Sequence, residues 1–295
     1  MNPNENYQSV REALLTQAIV ALKQKLVTDP QNTTILERLA HLLRQEGELL
    51  QAANLFQQLL HLNPAHPTAS YLIGLLTDTP TDELPLIESH PSPFIVMPNF
   101  LTEEQRSTLF TSAIQQQSFF EIATKQRFNK ETGEIESNED LTLRKQKTLH
   151  MNKGHQAMFT ERIGQLLPML FARLHIQPFS VKKISMNIAV THNSGFSVAH
   201  LDDLDGHYKI SYAYYFFKEP KAFTGGDFQL YDTNTTSDGA ISERYTRIAC
   251  RNNTIVFFPS NCFHQVTMVS SNSTAFDEGR FAVAGHLTPY SSLSI

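Results

Sequence analysis

The hydrophobic pattern changes its period once along the chain, and this change constrains the fold more than any other feature. Before residue 78 apolar residues recur every three or four positions, as in "TTILERLAHLLRQEGELLQAANLFQQLLHLNP", which is typical of amphipathic helices. After residue 180 the segments are short and rich in β-branched and aromatic residues, such as "KISYAYYFF" and "TIVFFPS", which is typical of strands. Helices followed by a block of strands predict an α+β chain with a β-sandwich or jelly-roll core.

The helical part carries a second regularity with a period of 34 residues. Pro30 and Pro64 each end an apolar helical run, and Ala40, Gly47 and Phe56 fall in phase with close-packing and turn positions. This spacing resembles tetratricopeptide repeats over about 70 residues. A plain four-helix bundle is the alternative. Because stacked repeats form concave surfaces, such repeats are candidates for dimerisation or for substrate docking.

A proline-rich segment separates the two patterns. Residues 78–92, "DTPTDELPLIESHPS", contain three prolines and little periodicity, which indicates a linker. The sequence therefore predicts a helical domain over 1–77 and a strand-rich domain with flanking helices over 93–295. Within the second domain, the polar residues 125–148 predict a mobile hairpin or loop, and Pro168 predicts a kink or a break in a helix.

Composition and charge indicate the cellular compartment and limit the classes of partner to be expected. The net charge is −5 without a basic block, so neither nucleic acid nor an anionic membrane surface is an expected partner. No run of about 18 apolar residues and no N-terminal basic-then-apolar segment is present, and we expect a cytoplasmic protein without a membrane anchor. The two cysteines, Cys250 and Cys262, have no paired spacing, which excludes a disulfide framework and a thiolate zinc site.

Three side chains in the strand-rich part have the chemistry of a metal site. His200 and Asp202 are two residues apart, and strand alternation would place them on one face. His264 follows a turn and begins a later strand, and two imidazoles with one carboxylate form the facial triad that holds ferrous iron. Arg280 begins the next strand, where a guanidinium can bind a distal carboxylate. His286 shares a face with Arg280 and is interpreted as a packed polar residue.

The order of these motifs resembles a known family. His-x-Asp, "GGDFQLYD", "VFFPSNCFHQV" and the following arginine resemble the 2-oxoglutarate- and iron(II)-dependent dioxygenases, in particular the prolyl 4-hydroxylase-like branch, over residues 92–290. The resemblance implies a double-stranded β-helix, or jelly roll, for 93–295. It also implies site residues: iron ligands His200, Asp202 and His264, and 2-oxoglutarate-binding residues Arg280 and Tyr215. The choice of Tyr215 over Tyr214 or Tyr212 stays open.

The resemblance also implies an activity. Its members use Fe(II), 2-oxoglutarate and O2, with ascorbate as a further candidate cofactor, to hydroxylate a C–H bond while releasing succinate and CO2. A peptidyl substrate, with a prolyl residue as one candidate, is favoured over a free amino acid or another small molecule. Two other hypotheses remain: a zinc hydrolase that uses the same three ligands, and a repeat scaffold without catalysis.

Overall fold

A computed structural model describes residues 3–79, 84–85, 89–128, 135–139, 143–203, 207–234 and 241–290. Helices occupy the N-terminal part and flank the later strands. They are α1 (Pro3–Thr28), α2 (Thr33–Glu46), α3 (Leu49–Leu62), α4 (Ala69–Leu76), α5 (Glu103–Gln115) and α6 (Lys153–Arg173). Within the described ranges, none of the helices is both long and apolar enough to cross a bilayer.

The strands pair antiparallel throughout the described part of the chain. They are β1 (Ser89–His90), β2 (Ile95–Pro98), β3 (Glu121–Ile122), β4 (Thr124–Phe128), β5 (Ile135–Glu139), β6 (Leu143–His150), β7 (Val181–Ile184), β8 (Asn187–His200), β9 (Ile210–Phe216), β10 (Thr224–Gly225), β11 (Phe228–Tyr231), β12 (Thr233–Asn234), β13 (Tyr245–Ile248), β14 (Thr254–Pro259), β15 (His264–Val266), β16 (Val269–Ser270) and β17 (Arg280–Pro289). The main sheet has the order β13-β11-β15-β8-β17-β9-β14-β2. In addition, β6 pairs with β8, β3 pairs with β6, and β7 pairs with β17.

The long strand β8 makes this sheet curl. Its first residues, 187–191, pair with β17, whereas its last residues, 197–200, pair with β15. Strand β6 pairs with both parts of β8, with 187–191 and again with 196–197. Between these two stretches Ser194 has a positive φ of 64°, and the register against β6 shifts. A single strand therefore passes from one half of the curled sheet to the other, as the expected jelly-roll core requires.

The two faces of the curled sheet have different environments. On the outer face, alternate residues such as Val190 and Phe281 pack with helices α5 and α6 through Leu109 and Phe159 in one hydrophobic core. On the inner face, the intervening residues line a cavity instead, which is the alternation expected of strands. The helices therefore cover one face and leave the other for a site.

The N-terminal helices pack against the edge strand β13 through a buried ion pair. Arg44 on α2 is fully buried and donates two hydrogen bonds of 2.7 Å to the Asp232 carboxylate and one of 3.2 Å to the Thr246 hydroxyl. Nearby, the turn at Gly47 has φ 94°, and a Cβ there would lie 3.5 Å from the Arg247 carbonyl oxygen. The apolar residues of both parts form one continuous cluster. Helices and sheet are therefore in direct contact across a buried surface.

The positions singled out for the repeat are buried or in a turn. Ala40, Ala52 and Phe56 are completely buried, and Gly47 ends α2 in the left-handed conformation. Helical packing of this kind is shared by a repeat and by a plain four-helix bundle, so the tetratricopeptide assignment stays a prediction.

One local expectation needs a partial correction. Helix α6 runs without a break from Lys153 to Arg173 and includes Pro168, so the predicted break is wrong and the kink stays a prediction. The proline removes one backbone hydrogen bond, but Ile163 and Leu170 on either side are fully buried and anchor both halves. Within the predicted linker 78–92, Ser89 and His90 pair with β12, and the domain boundary there stays a prediction.

The polar segment 125–148 is described in part. Strands β4 and β5 pair as a hairpin, and β6 joins the main sheet. Residues 129–134 and 140–142 lie outside the described residues, and the expected mobility of the segment stays a prediction.

The buried ion pair gives a stability prediction. Arg44→Met should lower the free energy of unfolding by about 3–5 kcal/mol, because it leaves the Asp232 carboxylate buried without its partner. The double variant Arg44→Met/Asp232→Val should regain most of that loss, since no unpaired charge remains. Arg173→Met, which removes the more exposed ion pair with Asp78, is the control and should cost less than about 1 kcal/mol. Urea unfolding measures all three, and a small loss for Arg44→Met alone would contradict the account.

A buried histidine at the same junction gives a pH prediction. Burial, followed by the charges of Arg44, Arg244 and His66, lowers the pKa of His41 to about 2. In the unfolded chain His41 takes up a proton below about pH 6.5, whereas in the folded protein it stays neutral until the pH approaches 2. Its contribution to the free energy of unfolding is therefore fully present above about pH 6.5 and is lost as the pH falls toward 2. The expected loss from this group between pH 7.5 and pH 5 is about 2 kcal/mol.

Urea unfolding at the two pH values, with wild type and His41→Gln, measures this loss. His41→Gln should show a shallower decline than wild type. The same substitution at the exposed His61 on α3 is the control and should leave the pH dependence unchanged. Identical slopes for wild type and His41→Gln would refute the assignment.

Candidate metal centre

Three side chains meet where β8 and β15 come together. His264, the first residue of β15, lies directly opposite His200, the last residue of β8. Asp202 follows in the turn rather than in the strand, and its two carboxylate oxygens lie 3.6 Å from the Nε2 atoms of His200 and His264. One ligand atom from each of the three residues falls within 4.8 Å of the others. The spacing suits one ion held by all three.

Backbone contacts leave the Nε2 atoms available as metal ligands. The Nδ1 atom of His200 lies 2.8 Å from the Val198 carbonyl oxygen, and that of His264 lies 3.1 Å from the Cys262 carbonyl oxygen. A carbonyl oxygen accepts only from a protonated nitrogen, which places the hydrogen on Nδ1 and the lone pair on Nε2. Both rings therefore present their ligand atoms toward Asp202.

The protonation states also suit metal binding. Burial, opposed by the Asp202 charge, lowers the pKa of His264 to about 4, so its imidazole is neutral near pH 7. Burial alone would raise the pKa of Asp202, but His264, His286, a hydrogen bond from Ser211 and His200 together outweigh it and lower that pKa. A neutral imidazole and an ionised carboxylate are the forms that ligate metals.

The same three residues line a cavity of about 330 Å³ that also contains a buried arginine. Arg280, the first residue of β17, is 2% exposed, and its Nε donates to the Gly226 carbonyl oxygen at 3.0 Å. A Cβ at Gly226 would come within 2.4 Å of the Arg280 side chain, so this position of the "GGD" motif has to be glycine. Asp227 pairs with Arg247 instead. The guanidinium is held in place by the backbone beside the cavity.

A buried tyrosine hydroxyl lies beside this guanidinium. The guanidinium carbon of Arg280 lies 4.7 Å from the centre of the Tyr215 ring. Arginine can only donate to the Tyr215 hydroxyl, which has no acceptor for its own hydrogen among the described residues. Burial raises the pKa of Tyr215, so the hydroxyl stays protonated as a donor. The Thr191 hydroxyl, on the residue paired with Arg280 across β8, is also buried without a described partner. Donors of this kind beside a cation fit a carboxylate ligand.

The structure separates the three candidate tyrosines. The Tyr214 hydroxyl donates to the Asn253 side chain at 3.0 Å, and the Tyr212 hydroxyl donates to the Ser185 carbonyl oxygen at 3.0 Å. Both are therefore occupied within the protein, while the Tyr215 hydroxyl lies next to Arg280.

One residue of the site was not assigned to it from the sequence. His286 lines the cavity, and its Nδ1 lies 3.5 Å from the Asp202 carboxylate. It shares the inner face of β17 with Arg280, Ala282 and Ala284, so strand alternation did indicate the right face. Strand alternation does not predict the curl of the sheet, and this curl brings the second half of β17 close to Asp202.

Comparison with known proteins finds a family model that matches this region. Residues 186–288 match the family model described as the 2OG-Fe(II) oxygenase superfamily, and this range includes the three candidate ligands, Tyr215 and Arg280. An uncharacterized PKHD-type hydroxylase of Synechocystis sp. is 31% identical over 201 residues, which are 66% of this chain and 63% of that protein. The chain thus spans slightly less than two thirds of the length of this curated relative.

Solved structures with a related shape include two prolyl hydroxylases. A prolyl-4-hydroxylase of Pseudomonas putida has a TM-score of 0.45 and 14% identity, covering 68% of this chain and 94% of that one. A prolyl hydroxylase of Trichoplax adhaerens, solved with a hypoxia inducible factor peptide fragment, has a TM-score of 0.46 and 13% identity, covering 67% of this chain and 84% of that one.

The Tyr215 hydroxyl gives a binding prediction. Tyr215→Phe should weaken 2-oxoglutarate binding to the Mn(II)-loaded protein by about tenfold or more, because a hydrogen bond to a charged carboxylate is lost. Tyr214→Phe is the matched control, since its hydroxyl is already bonded to Asn253, and it should bind like wild type. Isothermal titration calorimetry measures both, and equal affinity in Tyr215→Phe and wild type would remove Tyr215 from the site.

Proposed function

We propose that this chain is an iron(II)- and 2-oxoglutarate-dependent dioxygenase that hydroxylates a C–H bond and releases succinate and CO2, because residues 186–288 match the family model described as the 2OG-Fe(II) oxygenase superfamily. The observation that carries the proposal is one cavity with two chemically distinct ends. His200, Asp202 and His264 form one end, and Arg280 and Tyr215 form the other. The first end suits ferrous iron, and the second suits the distal carboxylate of a dicarboxylate.

Each residue has one task in this proposal. His200, Asp202 and His264 would hold iron(II) through two imidazole nitrogens and one carboxylate oxygen. Arg280 and Tyr215 bind and orient the distal carboxylate of 2-oxoglutarate, and the charge of Arg280 fixes the direction in which that molecule enters. Bound iron with 2-oxoglutarate and O2 supplies the oxidising chemistry, and the protein supplies orientation and a protected cavity.

Apolar side chains keep bulk water away from the reacting centre. Phe228 and Phe258 pack on the His264 ring, with ring centres 5.5 Å and 4.7 Å from it. Val266 and Leu201 extend the apolar lining. Such a wall strengthens the electrostatic contacts inside the cavity and favours hydroxylation over loss of the oxidising species to water.

The charges that line the cavity favour an uncharged substrate group. Among its described lining residues, only Asp202 and Arg280 carry permanent charge, and both are assigned to iron and 2-oxoglutarate. The remaining polar lining is neutral and includes Gln146, Thr148 and Asn187. A free amino acid would bring an ammonium and a carboxylate into a cavity whose described lining offers no further charged partner for them, which is costly. This supports a residue within a peptide or protein, with a prolyl residue as the leading candidate, over a free amino acid.

The proposal also covers the N-terminal helices and the division of the chain into domains. We infer domains at 1–77 and 93–295 joined by 78–92, with the helices as tetratricopeptide-like repeats. The buried Arg44–Asp232 pair supports a fixed orientation of these helices on the sheet. A fixed helical surface suits docking of an extended substrate or of a second subunit.

Turnover of 2-oxoglutarate tests the reaction class. With Fe(II), 2-oxoglutarate, ascorbate and O2, wild-type protein should form succinate, whereas His200→Ala should give only the protein-free background. Chromatography or mass spectrometry of succinate measures the difference. Succinate formation equal in both would place the oxidation outside this site. Hydrolytic activity with zinc and no succinate would favour the hydrolase, and loss of both would favour the scaffold.

A substrate panel tests the charge argument. Peptides with neutral residues, including proline, and blocked at both ends should raise succinate formation above the peptide-free rate. The matching free amino acids should not, because their ammonium and carboxylate groups find no partner in the cavity. The reverse order of stimulation would show that the substrate is a free small molecule.

A further inference from the structure

A third histidine, from a different strand, also contacts Asp202. The His286 Nδ1 atom lies 3.5 Å from Asp202 Oδ2, compared with 3.6 Å for each of the two candidate ligands. His286 comes from β17, whereas the other two come from β8 and β15. It is not in the group of three whose ligand atoms lie together.

The ring of His286 is fixed by contacts on two sides. Tyr208 stacks on it with ring centres 4.6 Å apart and planes inclined by 19°. The Ser211 hydroxyl lies 3.1 Å from the same Nδ1 atom and is itself hydrogen-bonded to the Ser260 hydroxyl at 2.8 Å. Two oxygen atoms near one ring nitrogen favour a hydrogen on Nδ1. The Nδ1–H of His286 therefore lies between the Ser211 hydroxyl, at hydrogen-bonding distance, and the Asp202 carboxylate, 3.5 Å away.

Resting on the proposed function, we propose that His286 is the positioning residue of the iron-binding carboxylate. An aspartate that ligates a metal through one oxygen needs a donor for the other, because an unrestrained carboxylate rotates away from ligating geometry. The backbone carbonyls of Val198 and Cys262 already fix the two histidine rings. For Asp202 the corresponding contacts are the His286 ring and the Ser211 hydroxyl.

The alternative, that His286 is a fourth metal ligand, fits the contacts less well. Its Nδ1 is already engaged by Ser211 and Asp202, and no metal can share a nitrogen that carries a hydrogen. A fourth protein ligand would also occupy one of the positions that the proposed reaction needs open.

Two substitutions separate the hydrogen bond from the bulk of the ring. His286→Asn retains an N–H donor near the position of Nδ1, whereas His286→Phe retains the ring stacked on Tyr208 but has no donor. Mn(II), a redox-inert probe, is titrated into metal-free protein by calorimetry. His286→Phe should bind Mn(II) about 10–100-fold more weakly than wild type, the usual effect of removing such a supporting contact. His286→Asn should recover most of that affinity.

Control variants distinguish a positioning role of His286 from a folding defect and from the absence of a metal site. His61→Phe on the exposed face of α3 should bind Mn(II) like wild type, and equal thermal midpoints of the metal-free variants exclude a folding defect. Wild-type affinity in His286→Phe, with binding lost in His200→Ala, would overturn the positioning role and leave the proposed metal site intact. Equal losses in His286→Phe and His286→Asn would also overturn it. Absence of Mn(II) binding by wild type would instead refute the proposed function.

Discussion

The pairing of β15 with the end of β8 determines where every candidate ligand lies. His264 faces His200 only because the long strand β8 leaves β17 and continues alongside β15, while β6 stays paired with β8 as far as Ser197. The bend at Ser194 makes this possible. The same curl turns the inner face of β17 toward the cavity, which brings Arg280, the first residue of this strand, and His286, in its second half, to the same cavity. The candidate metal site and the position of Arg280 therefore both depend on the change of partner along β8.

A second constraint connects the helices to this sheet. Arg44 is completely buried, and its guanidinium would be strongly destabilising there without the Asp232 carboxylate and the Thr246 hydroxyl. Asp232 closely follows β11, which pairs with β15, the strand that begins with His264. The helical part is therefore attached two strands away from the candidate ligands. This attachment gives the helices a defined orientation relative to the cavity.

The sequence predicted the classes of element better than the long-range contacts. It indicated His200, Asp202 and His264 as candidate ligands because metal chemistry restricts the residue types, and it indicated Arg280 as a candidate from its place at the start of a strand. The pair Arg44–Asp232 joins positions 188 residues apart, and no local pattern encodes such a pairing. His286 has the correct strand face, but its distance to Asp202 depends on the curvature of the whole sheet. The uninterrupted helix through Pro168 depends on burial on both sides, which outweighs the local preference of proline.

Anaerobic titration of the metal-free protein with Fe(II), followed by 2-oxoglutarate, tests the central claim most directly. If the three ligands hold iron and Arg280 with Tyr215 orient 2-oxoglutarate, the second addition should produce the weak visible charge-transfer band of 2-oxoglutarate chelated to Fe(II). The band should be absent in His200→Ala and should need more 2-oxoglutarate in Arg280→Met. No band in wild type, together with tight retention of zinc at the same residues, would contradict the account.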